Sequence, residues 1–389
     1  MVIVIIIKKC EINIFNNNMS LKILTLKKWL KLFNLNKISK KQFLETFNVK
    51  TKKSIPLKYY LKTKKLSKKD IDILYFFIIE NKEQYLINFY NKSLKIADLD
   101  LTNITLSFSN NKNPKYKNLI RNIYYKDILL YTKTEIPNIR PFLEVLLELF
   151  NKNTIDYKLV TPSSIAMLYK GLFSNILSGF YFRSSILNPC VLYTLSKQLK
   201  GSNIFTPTLG WSSYMYGFLS NSNITEYVGT DVIEDVCVNT KLLSSELFPK
   251  KKIDIYCSPS ENLKNNKKFI KKYKRKYFDN IFFSPPYFKL EIYRGKLQST
   301  NLYSKYEDWL LLYWEETIKL CRYLIKNNGV LCYIISNYKN RINMNRDMNN
   351  ITKKYFKLTK KIVLNNSNIN FTSHNDNSEI IYFFKPLNV

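Results

Sequence analysis

The spacing of apolar positions divides the chain into two regions. Between residue 20 and about residue 150, apolar side chains such as Leu24 and Trp29 recur at helical intervals, which predicts a mainly helical region. From about residue 155, helical segments alternate with short apolar runs, the pattern of a mostly parallel α/β sheet. We therefore expect a tail at residues 1–18, a lysine-rich helical region at 19–154 and an α/β domain at 155–389.

Start signals and apolar runs place the elements of the second region. Thr161-Pro162 and Asn188-Pro189 each join an N-cap residue to a proline suited to the first helical turn. The clearest helix is Tyr303–Lys326. Ligands of parallel sheets bind beyond the carboxyl ends of the strands, so we expect the chemistry in the loops that follow them. The predicted strands are Asn203–Pro207, Glu226–Gly229, Ile253–Cys257, Asn280–Phe283 and Val330–Ser336.

The charge balance is strongly basic. Lys and Arg number 62 against 29 Asp and Glu, giving a formal net charge of +33. Such a field attracts polyanions and raises their encounter rate, so nucleic acid is the expected partner. The lysine excess comes with abundant Asn, Ile and Tyr and only 8 Gly, as an AT-rich gene would produce. The base composition of the gene therefore remains an alternative explanation of the charge.

Two basic clusters are candidate contacts for phosphate groups, and for each a solvated helix surface is the alternative. The first surrounds Tyr59 and Tyr60 and consists of Lys52, Lys53, Lys58, Lys62, Lys64, Lys65, Lys68 and Lys69. The second precedes the fourth predicted strand and includes Lys271, Lys272, Lys274, Arg275 and Lys276.

Cysteine and histidine usage argues against a metal site. The six cysteines form no C-x-x-C pair, and the only histidine, His374, lies in a polar stretch typical of a surface loop. We expect no bound metal and a reducing, intracellular setting. No run of 18 apolar residues is present, so we expect no membrane span. The apolar start of the chain makes a poor signal peptide, and Met19 is an alternative first residue.

The ends of the first two strands carry candidate cofactor contacts. A small-residue turn, Pro207 to Ser213, follows the first strand and would let backbone approach a ligand closely, although an ordinary tight turn has the same composition. Asp231 ends the second strand, about 20 residues further on, where an acidic side chain can accept hydrogen bonds from ribose hydroxyls. The alternative for Asp231 is a helix cap.

The fourth strand leads into Ser284-Pro285-Pro286-Tyr287. Two consecutive prolines cannot continue a central strand, so they predict a stiff, extended turn whose carbonyls point outward. An exocyclic amino group is a poor nucleophile until acceptors hold its N–H bonds. The Ser284 side chain and the Pro285 carbonyl could accept those bonds while Tyr287 stacks on the base. This arrangement suits methylation of a base amino group.

These residues resemble the motif of the DNA amino-methyltransferases, [Asp/Asn/Ser]-Pro-Pro-[Tyr/Phe]. The match extends to a Ser-Pro-Pro-Tyr-Phe-x-x-Glu-x-Tyr pattern of phage and viral DNA methylases, seen as Ser284 to Phe288, Glu291 and Tyr293. The resemblance implies a Rossmann-like methyltransferase fold with a mostly parallel seven-stranded sheet and S-adenosylmethionine as the methyl donor. It also implies double-stranded DNA as the partner, methylated at adenine N6 or cytosine N4.

The resemblance also implies roles for individual residues. Asp231 would hold the cofactor ribose, and Glu261 lies in the region that contacts the adenine. The segment Phe182-Arg183 would close over the cofactor. The catalytic set would be Ser284, Pro285, Pro286 and Tyr287, and the residues facing the methionine part would be Thr206, Pro207 and Gly210.

Departures from the family pattern leave other functions open. The family's first strand usually ends in Asp before a Gly-Trp-Gly-Gly-like turn, whereas this chain has Thr206 and then Gly210-Trp211-Ser212-Ser213. Ser212 is expected to narrow the space beside the cofactor. The alternatives are a catalytically degenerate, nucleic-acid-binding subunit and an RNA amino-methyltransferase.

Target recognition and location follow from what the chain leaves room for. Only about 100 residues follow Tyr287, so we expect recognition by the N-terminal region or by the loop Lys289–Thr300. A viral enzyme of this kind would act in the cytoplasm or nucleus of a host cell, and the sequence leaves the oligomeric state open.

Overall fold

The computed structural model describes residues 20–91, 100–336, 343–364 and 379–387. The expected tail at residues 1–18 and the loop around His374 lie outside these ranges. The chain forms two units: Ile23–Ser93 with Tyr125–Ser185, called here the helical unit, and the described parts of Met1–Lys22, Leu94–Tyr124 and Ile186–Val389, called the sheet unit. This division differs from the boundary expected near residue 154, because residues 155–185 belong to the helical unit.

The helical unit is mainly α-helical, as the apolar period predicts. Its packing includes Trp29, whose indole N–H donates to the Leu86 carbonyl at 3.0 Å, and Phe142, which stacks on Phe89 with centroids 4.7 Å apart. The α-helices are Leu26–Leu30, Lys40–Thr46, Leu57–Thr63, Lys68–Tyr75, Lys82–Tyr90, Phe142–Asn151, Pro162–Tyr169 and Phe173–Phe180, and π-helical turns occupy Phe76–Glu80 and Asp127–Tyr131.

Local signals explain several of these helix ends. Thr161 caps Pro162–Tyr169 by accepting a hydrogen bond from the Ser164 N–H, as its sequence predicts. That helix ends at Tyr169, two residues before Gly171, whose φ of +71° favours glycine, and a second helix begins at Phe173.

The helical unit also contains a small sheet that the sequence did not predict. Its strands are β1 (Asn48–Lys50), β2 (Ser54–Pro56) and β3 (Thr154–Asp156), in the order β2-β1-β3. β1 pairs antiparallel with β2 and parallel with β3. Strands of 3 residues are too short to show a period of two, so their apolar pattern carries no signal.

The sheet unit contains one seven-stranded sheet in the order β6-β5-β4-β7-β8-β10-β9. β4 to β8 run parallel, and β10 is antiparallel to both of its neighbours. The predicted Rossmann-like fold class is therefore confirmed. The strands are β4 (Asn203–Thr206), β5 (Glu226–Asp231), β6 (Lys252–Cys257), β7 (Phe278–Phe283), β8 (Ile325–Ser336), β9 (Phe356–Leu364) and β10 (Glu379–Pro386).

Helices cross over between the strands of this sheet. Residues 306–324 form the predicted long helix, with a π-helical middle at Trp309–Glu315. Its Trp314 and Ile318 lie fully buried with Phe283 of β7 in the main hydrophobic core. The other α-helices of this unit are Pro114–Ile123, Pro189–Ser196, Ser213–Leu219, Glu234–Leu247, Lys267–Lys272, Ser299–Leu302 and Met344–Lys353.

The strand order creates a switch point between β4 and β7. From β4 the chain proceeds outward to β5 and β6, and then returns to place β7 on the other side of β4. Crossover connections therefore leave β4 and β7 in opposite directions and open a crevice at their carboxyl ends. Among the described residues, no helix is long and apolar enough to cross a membrane.

The helices Pro189–Ser196 and Ser213–Leu219 pack closely at Gly217. A Cβ there would lie 2.5 Å from both the Leu192 Cβ and the Pro189 carbonyl oxygen. We expect Gly217→Ala to lower the free energy of unfolding by about 1–3 kcal/mol through overpacking. Chemical denaturation measures this change.

Gly179→Ala is the matched control, because a Cβ at Gly179 meets no atom within 4 Å. It should stabilise its helix by about 0.4–1 kcal/mol. Equal stability of Gly217→Ala and the wild type would contradict the close packing.

Candidate active site

Four loops meet at the carboxyl edge of the sheet, after β4, β5, β6 and β7. The Leu209 N–H donates to Asp231 Oδ2 at 3.2 Å, which joins the first loop to the end of β5. The Ser258 N–H donates to the Asp231 carbonyl at 2.9 Å. The Thr208 hydroxyl donates to the Ser284 carbonyl at 3.3 Å, so hydrogen bonds connect the turn to the Pro-Pro motif.

The turn after β4 has three consecutive residues in the left-handed region. Gly210, Trp211 and Ser212 have φ values of +51°, +57° and +65°. A Cβ at Gly210 would lie 2.2 Å from the ring of Tyr214, so only glycine fits there. Each of the other two residues adopts a conformation that costs about 1–2 kcal/mol in a left-handed helix. Packing and hydrogen bonds elsewhere must hold the turn.

Ser212 supplies the hydrogen bonds. Its fully buried hydroxyl contacts Tyr124 Oη and lies 2.7 Å from Thr240 Oγ1. The Thr240 hydroxyl donates in turn to the Val236 carbonyl at 2.6 Å. The Ser212 side chain is thus committed to a buried cluster of hydroxyls. The sequence predicts that Ser212 narrows the space beside the cofactor. In the structure its side chain is hydrogen-bonded within this cluster.

Trp211 packs the turn against the loop that follows the Pro-Pro motif. Its ring meets Tyr293 edge-on at 5.7 Å and Tyr124 at 5.6 Å. The Tyr293 hydroxyl donates to the buried Glu291 carboxylate. Glu291 and Tyr293, which extend the family-like motif, therefore hold the loop after the Pro-Pro motif next to the turn after β4. The sequence did not indicate the part played by Trp211.

Thr206 and Pro207 are buried at the end of β4. The Thr206 hydroxyl lies 2.5 Å from the Tyr227 hydroxyl. Thr206 pairs with Gly229, where an added Cβ would come within 2.8 Å of the Thr206 hydroxyl. Its side chain thus has a partner between β4 and β5, and its predicted contact with a methionine group stays a prediction.

Asp231 is held in place by backbone N–H groups. Its Oδ1 accepts from Val232 at 2.8 Å and from Ile233 at 3.1 Å, while Oδ2 accepts from Leu209. The helix begins later, at Glu234, with no side-chain cap, so Asp231 is not a conventional helix cap. Burial raises the pKa of Asp231, and the three N–H donors oppose that rise. The carboxylate is positioned before any ligand binds.

Glu261 has an unused acceptor at the same edge. Its side chain is buried, and Oε1 has no hydrogen-bond partner among the described residues. Oε2 accepts a long bond, 3.5 Å, from the Ser260 hydroxyl. Burial raises the pKa of Glu261 to about 7. Glu261 also interacts with the Tyr303 side chain. An unsatisfied buried carboxyl oxygen is costly, which makes Oε1 a candidate for a ligand contact.

Tyr313 provides a second unused polar group that sequence reasoning missed. Its buried hydroxyl has no hydrogen-bond partner in the described part of the chain. Burial, with Glu261 and Asp231 as charged neighbours, raises the pKa of Tyr313. In the sequence, Tyr313 is one of several aromatic residues on the apolar face of a helix, and nothing there distinguishes it from core.

The Pro-Pro motif leaves the sheet directly after β7. Ser284 donates a long hydrogen bond, 3.5 Å, to the Ile334 carbonyl, and it also interacts with the Tyr214 side chain. Pro285 is buried, whereas Pro286 and Tyr287 are half-buried. Tyr287 packs against the main hydrophobic core, which fixes the position of its ring.

The predicted phosphate-binding residues lie away from this edge, and the predicted segment Phe182-Arg183 belongs to the helical unit. The basic residues Lys271 to Lys276 precede β7, at the opposite end of a six-residue strand from Ser284. At about 3.3 Å per residue, that strand puts them roughly 17–20 Å from the motif. Lys272 also pairs with Asp254 at 2.6 Å. Phe182 and Arg183 belong to the helical unit, where Phe182 bonds to the backbone of Arg140 and Phe142.

The described residues contain no group of three or more His, Cys, Asp or Glu that could hold a metal ion. Cys237 and Cys257 are free thiols near Asp231. Hydrogen bonding between the two raises the pKa of Cys237 and lowers that of Cys257.

Comparison with known proteins adds similarity of fold at low identity. No protein-family model matches the chain, and no curated protein matches it. An rRNA methylase from Streptococcus thermophilus is 13% identical over 53% of this chain and 100% of its own, with a TM-score of 0.33. TrmN from Thermus thermophilus is 12% identical over 52% of this chain and 49% of its own, with a TM-score of 0.36.

The N-methyltransferase NodS from Bradyrhizobium japonicum is 9% identical over 51% of this chain and 94% of its own, with a TM-score of 0.34. All three scores lie below 0.5. The assignment of the fold therefore rests on the strand order and not on these neighbours.

Substitutions at Ser212 separate backbone strain from hydrogen bonding. We expect Ser212→Ala to lower the free energy of unfolding by about 1–3 kcal/mol, since it breaks the hydroxyl cluster and keeps a Cβ at positive φ. Ser212→Gly loses the same hydroxyl but relieves the strain, so it should be more stable than the alanine variant by about 1 kcal/mol. Denaturation of both variants measures the difference, and equal stabilities would argue against a strained turn.

Glu261 should make stability depend on pH. Burial raises the pKa of Glu261 from its ordinary value of 4.5 to about 7 in the fold. Between these values the folded state binds more protons than the unfolded state, so the free energy of unfolding falls as pH rises from about 4.5 to about 7. Glu261→Gln should remove up to about 3 kcal/mol of this dependence. Denaturation at several pH values measures it, with Glu246→Gln, an exposed carboxylate, as the control. Identical pH slopes for wild type and Glu261→Gln would refute the assignment.

Proposed function

We propose that the protein is an S-adenosylmethionine-dependent methyltransferase that methylates an exocyclic amino group of a DNA base, adenine N6 or cytosine N4. The observation that carries this proposal is the position of Ser284-Pro285-Pro286-Tyr287 at the carboxyl end of β7, beside the switch point. The Thr208–Ser284 hydrogen bond connects this motif with the turn after β4. This hydrogen bond supports one crevice for the proposed amino acceptors and the proposed cofactor turn.

The residues at this edge fit the cofactor. Of the roughly four acceptor sites of the Asp231 carboxylate, three bind backbone N–H groups, which leaves one on Oδ2 for a ribose hydroxyl. The unused Glu261 oxygen suits the amino group of an adenine, and the unpartnered Tyr313 hydroxyl can donate to a ring nitrogen or accept from that amino group. Three polar groups that otherwise lack full complements of partners would thus be satisfied by one nucleoside.

The motif residues prepare the target nitrogen. The Ser284 hydroxyl and the Pro285 carbonyl accept its two N–H bonds, which directs its lone pair out of the plane of the base. Tyr287 stacks on the base and fixes that plane. A duplex base must leave its stack to reach such a crevice, at a cost of a few kcal/mol.

When bound, S-adenosylmethionine would supply a methyl group on a positively charged sulfur. The amino nitrogen would form a bond to that methyl carbon as the sulfur–carbon bond breaks, and the sulfur would keep the electron pair of the broken bond. The alkylated nitrogen is strongly acidic. Its proton can pass to water, so no strong base is needed. This agrees with a crevice whose polar groups are hydroxyls, carbonyls and carboxyl groups.

The charge of +33 supports a polyanionic substrate. DNA is proposed over RNA because the extended motif resembles that of DNA methylases, with Glu291 and Tyr293 both engaged in holding the catalytic loop. RNA would use the same Ser284 and Tyr287 contacts, so only the substrate separates the two.

Transfer of tritium from labelled S-adenosylmethionine tests the reaction. We expect label in AT-rich double-stranded DNA with the wild type, and a loss of about 100-fold in kcat with Ser284→Ala, equivalent to about 2.7 kcal/mol of transition-state stabilisation. Cofactor affinity, measured by calorimetry, should stay unchanged in Ser284→Ala. Asp231→Asn should instead weaken cofactor binding by about 10-fold or more, because an amide replaces one acceptor oxygen.

Ser202→Ala is the control, since Ser202 is exposed and lies at the opposite end of β4. Transfer to an RNA of the same sequence and not to DNA would overturn the choice of DNA. Absence of both transfer and cofactor binding would leave a degenerate nucleic-acid-binding protein as the explanation.

A further inference from the structure

A second pocket lies within the helical unit. It has a volume of about 160 Å³, and its walls come from the segment before the helix Lys40–Thr46, from that helix, and from the start of the helix Lys82–Tyr90. Phe47, Ile78 and Phe150 form apolar parts of the wall. At about 15 Å³ for each water-sized site, the volume accommodates roughly ten non-hydrogen atoms.

Lys82 is the only charged residue that lines this pocket among the described residues. Its side chain is 4% exposed, and its ammonium donates to the Asn36 carbonyl. No described carboxylate forms an ion pair with it. Burial, followed by repulsion from Lys37, lowers the pKa of Lys82. A buried ammonium with one neutral acceptor is a costly arrangement that a bound anion would offset.

The amides at the mouth of the pocket present donors. Asn34 Oδ1 accepts from the Asn36 N–H at 2.9 Å, and Gln42 Oε1 accepts from the Ser39 N–H at 2.9 Å. These bonds engage the oxygen of each amide, and the NH₂ group of each exposed side chain is a hydrogen-bond donor. Both side chains line the pocket. The polar part of the wall thus combines one ammonium with two amide donors.

We propose that this pocket binds a phosphate group, either as inorganic phosphate or as the phosphate monoester of a nucleotide or of a nucleic-acid end. Phosphate offers the several acceptor oxygens that Lys82, Asn34 and Gln42 require, and the volume leaves room for a small group attached to it. The apolar wall formed by Phe47 and Phe150 suits a sugar or base edge. The proposal is independent of the methyltransferase reaction, because every residue involved belongs to the helical unit.

The buried charge in this pocket is expected to lower the stability of the ligand-free protein and to be required for binding. Without ligand, the buried charge destabilises the helical unit, so Lys82→Met should melt at a higher temperature than the wild type. With ligand at 100 times its dissociation constant, the wild type should gain about 5 °C, whereas Lys82→Met should gain nothing. A Lys82→Met variant that melts at a higher temperature without ligand and no longer responds to ligand shows that Lys82 serves binding. If Lys82 served stability instead, its replacement would lower the melting temperature.

The experiment measures melting of the full chain in HEPES buffer with no added ligand, with inorganic phosphate, with adenosine 5′-monophosphate, and with one oligonucleotide in 5′-phosphorylated and unphosphorylated forms. Lys58→Met is the matched control, because Lys58 is an exposed lysine of the same unit. It should keep the wild-type response to phosphate, which excludes general charge screening.

The ligand arms distinguish the sources of the phosphate. A shift with inorganic phosphate alone indicates the free ion, a shift with the monophosphate indicates a nucleotide, and a shift that needs the 5′-phosphate of the oligonucleotide indicates a nucleic-acid end. Each of these supports the site if Lys82→Met abolishes it. No shift with any ligand, or an equal shift in wild type and Lys82→Met, overturns the proposal. Tritium transfer to DNA by Lys82→Met reports separately on the methyltransferase reaction.

Discussion

A strained left-handed turn, Gly210 to Ser212, is the constraint on which the candidate active site depends. The chain must reverse sharply after β4 to start the helix at Ser213, and three consecutive positive φ values achieve this reversal. The buried contacts of Ser212 with Tyr124 and Thr240 hold the turn in place. As a result, Leu209 can bind Asp231, Thr208 can bind Ser284, and Trp211 can pack on Tyr293.

The Ser212 cluster also changes how the departure from the family pattern is interpreted. A glycine at this position would adopt positive φ without strain. The sequence predicts that the serine side chain narrows the space beside the cofactor. The hydroxyl instead has partners in Tyr124, after the helix Pro114–Ile123, and in Thr240, within the helix Glu234–Leu247. Because both partners come from elements distant in sequence, the substitution is accommodated by tertiary contacts.

Incomplete polar satisfaction marks both candidate binding regions. Glu261 Oε1 and the Tyr313 hydroxyl lack partners at the carboxyl edge of the sheet, and Lys82 has one neutral acceptor in the helical unit. A fold selected for stability alone would replace such groups with apolar side chains or pair them. Glu261 and Tyr313 are the basis of the proposed nucleoside contact at the sheet, and Lys82 is the basis of the proposed phosphate contact in the helical unit.

The sequence by itself determined the α/β class, the positions of β4 to β8 along the chain, the place of Asp231 at the end of β5 and that of Ser284 after β7, because apolar period and proline restrictions act locally. It also predicted the Thr161 cap. Only the tertiary structure decided that residues 155–185 join the helical unit and that Lys271 to Lys276 lie at the edge opposite Ser284. It also decided that Thr206 and Ser212 have hydrogen-bond partners. Glu261 Oε1 and the Tyr313 hydroxyl have none among the described residues, and Lys82 has one neutral acceptor. The physical reason is that burial and hydrogen-bond satisfaction depend on residues far apart in the chain, which no local pattern records.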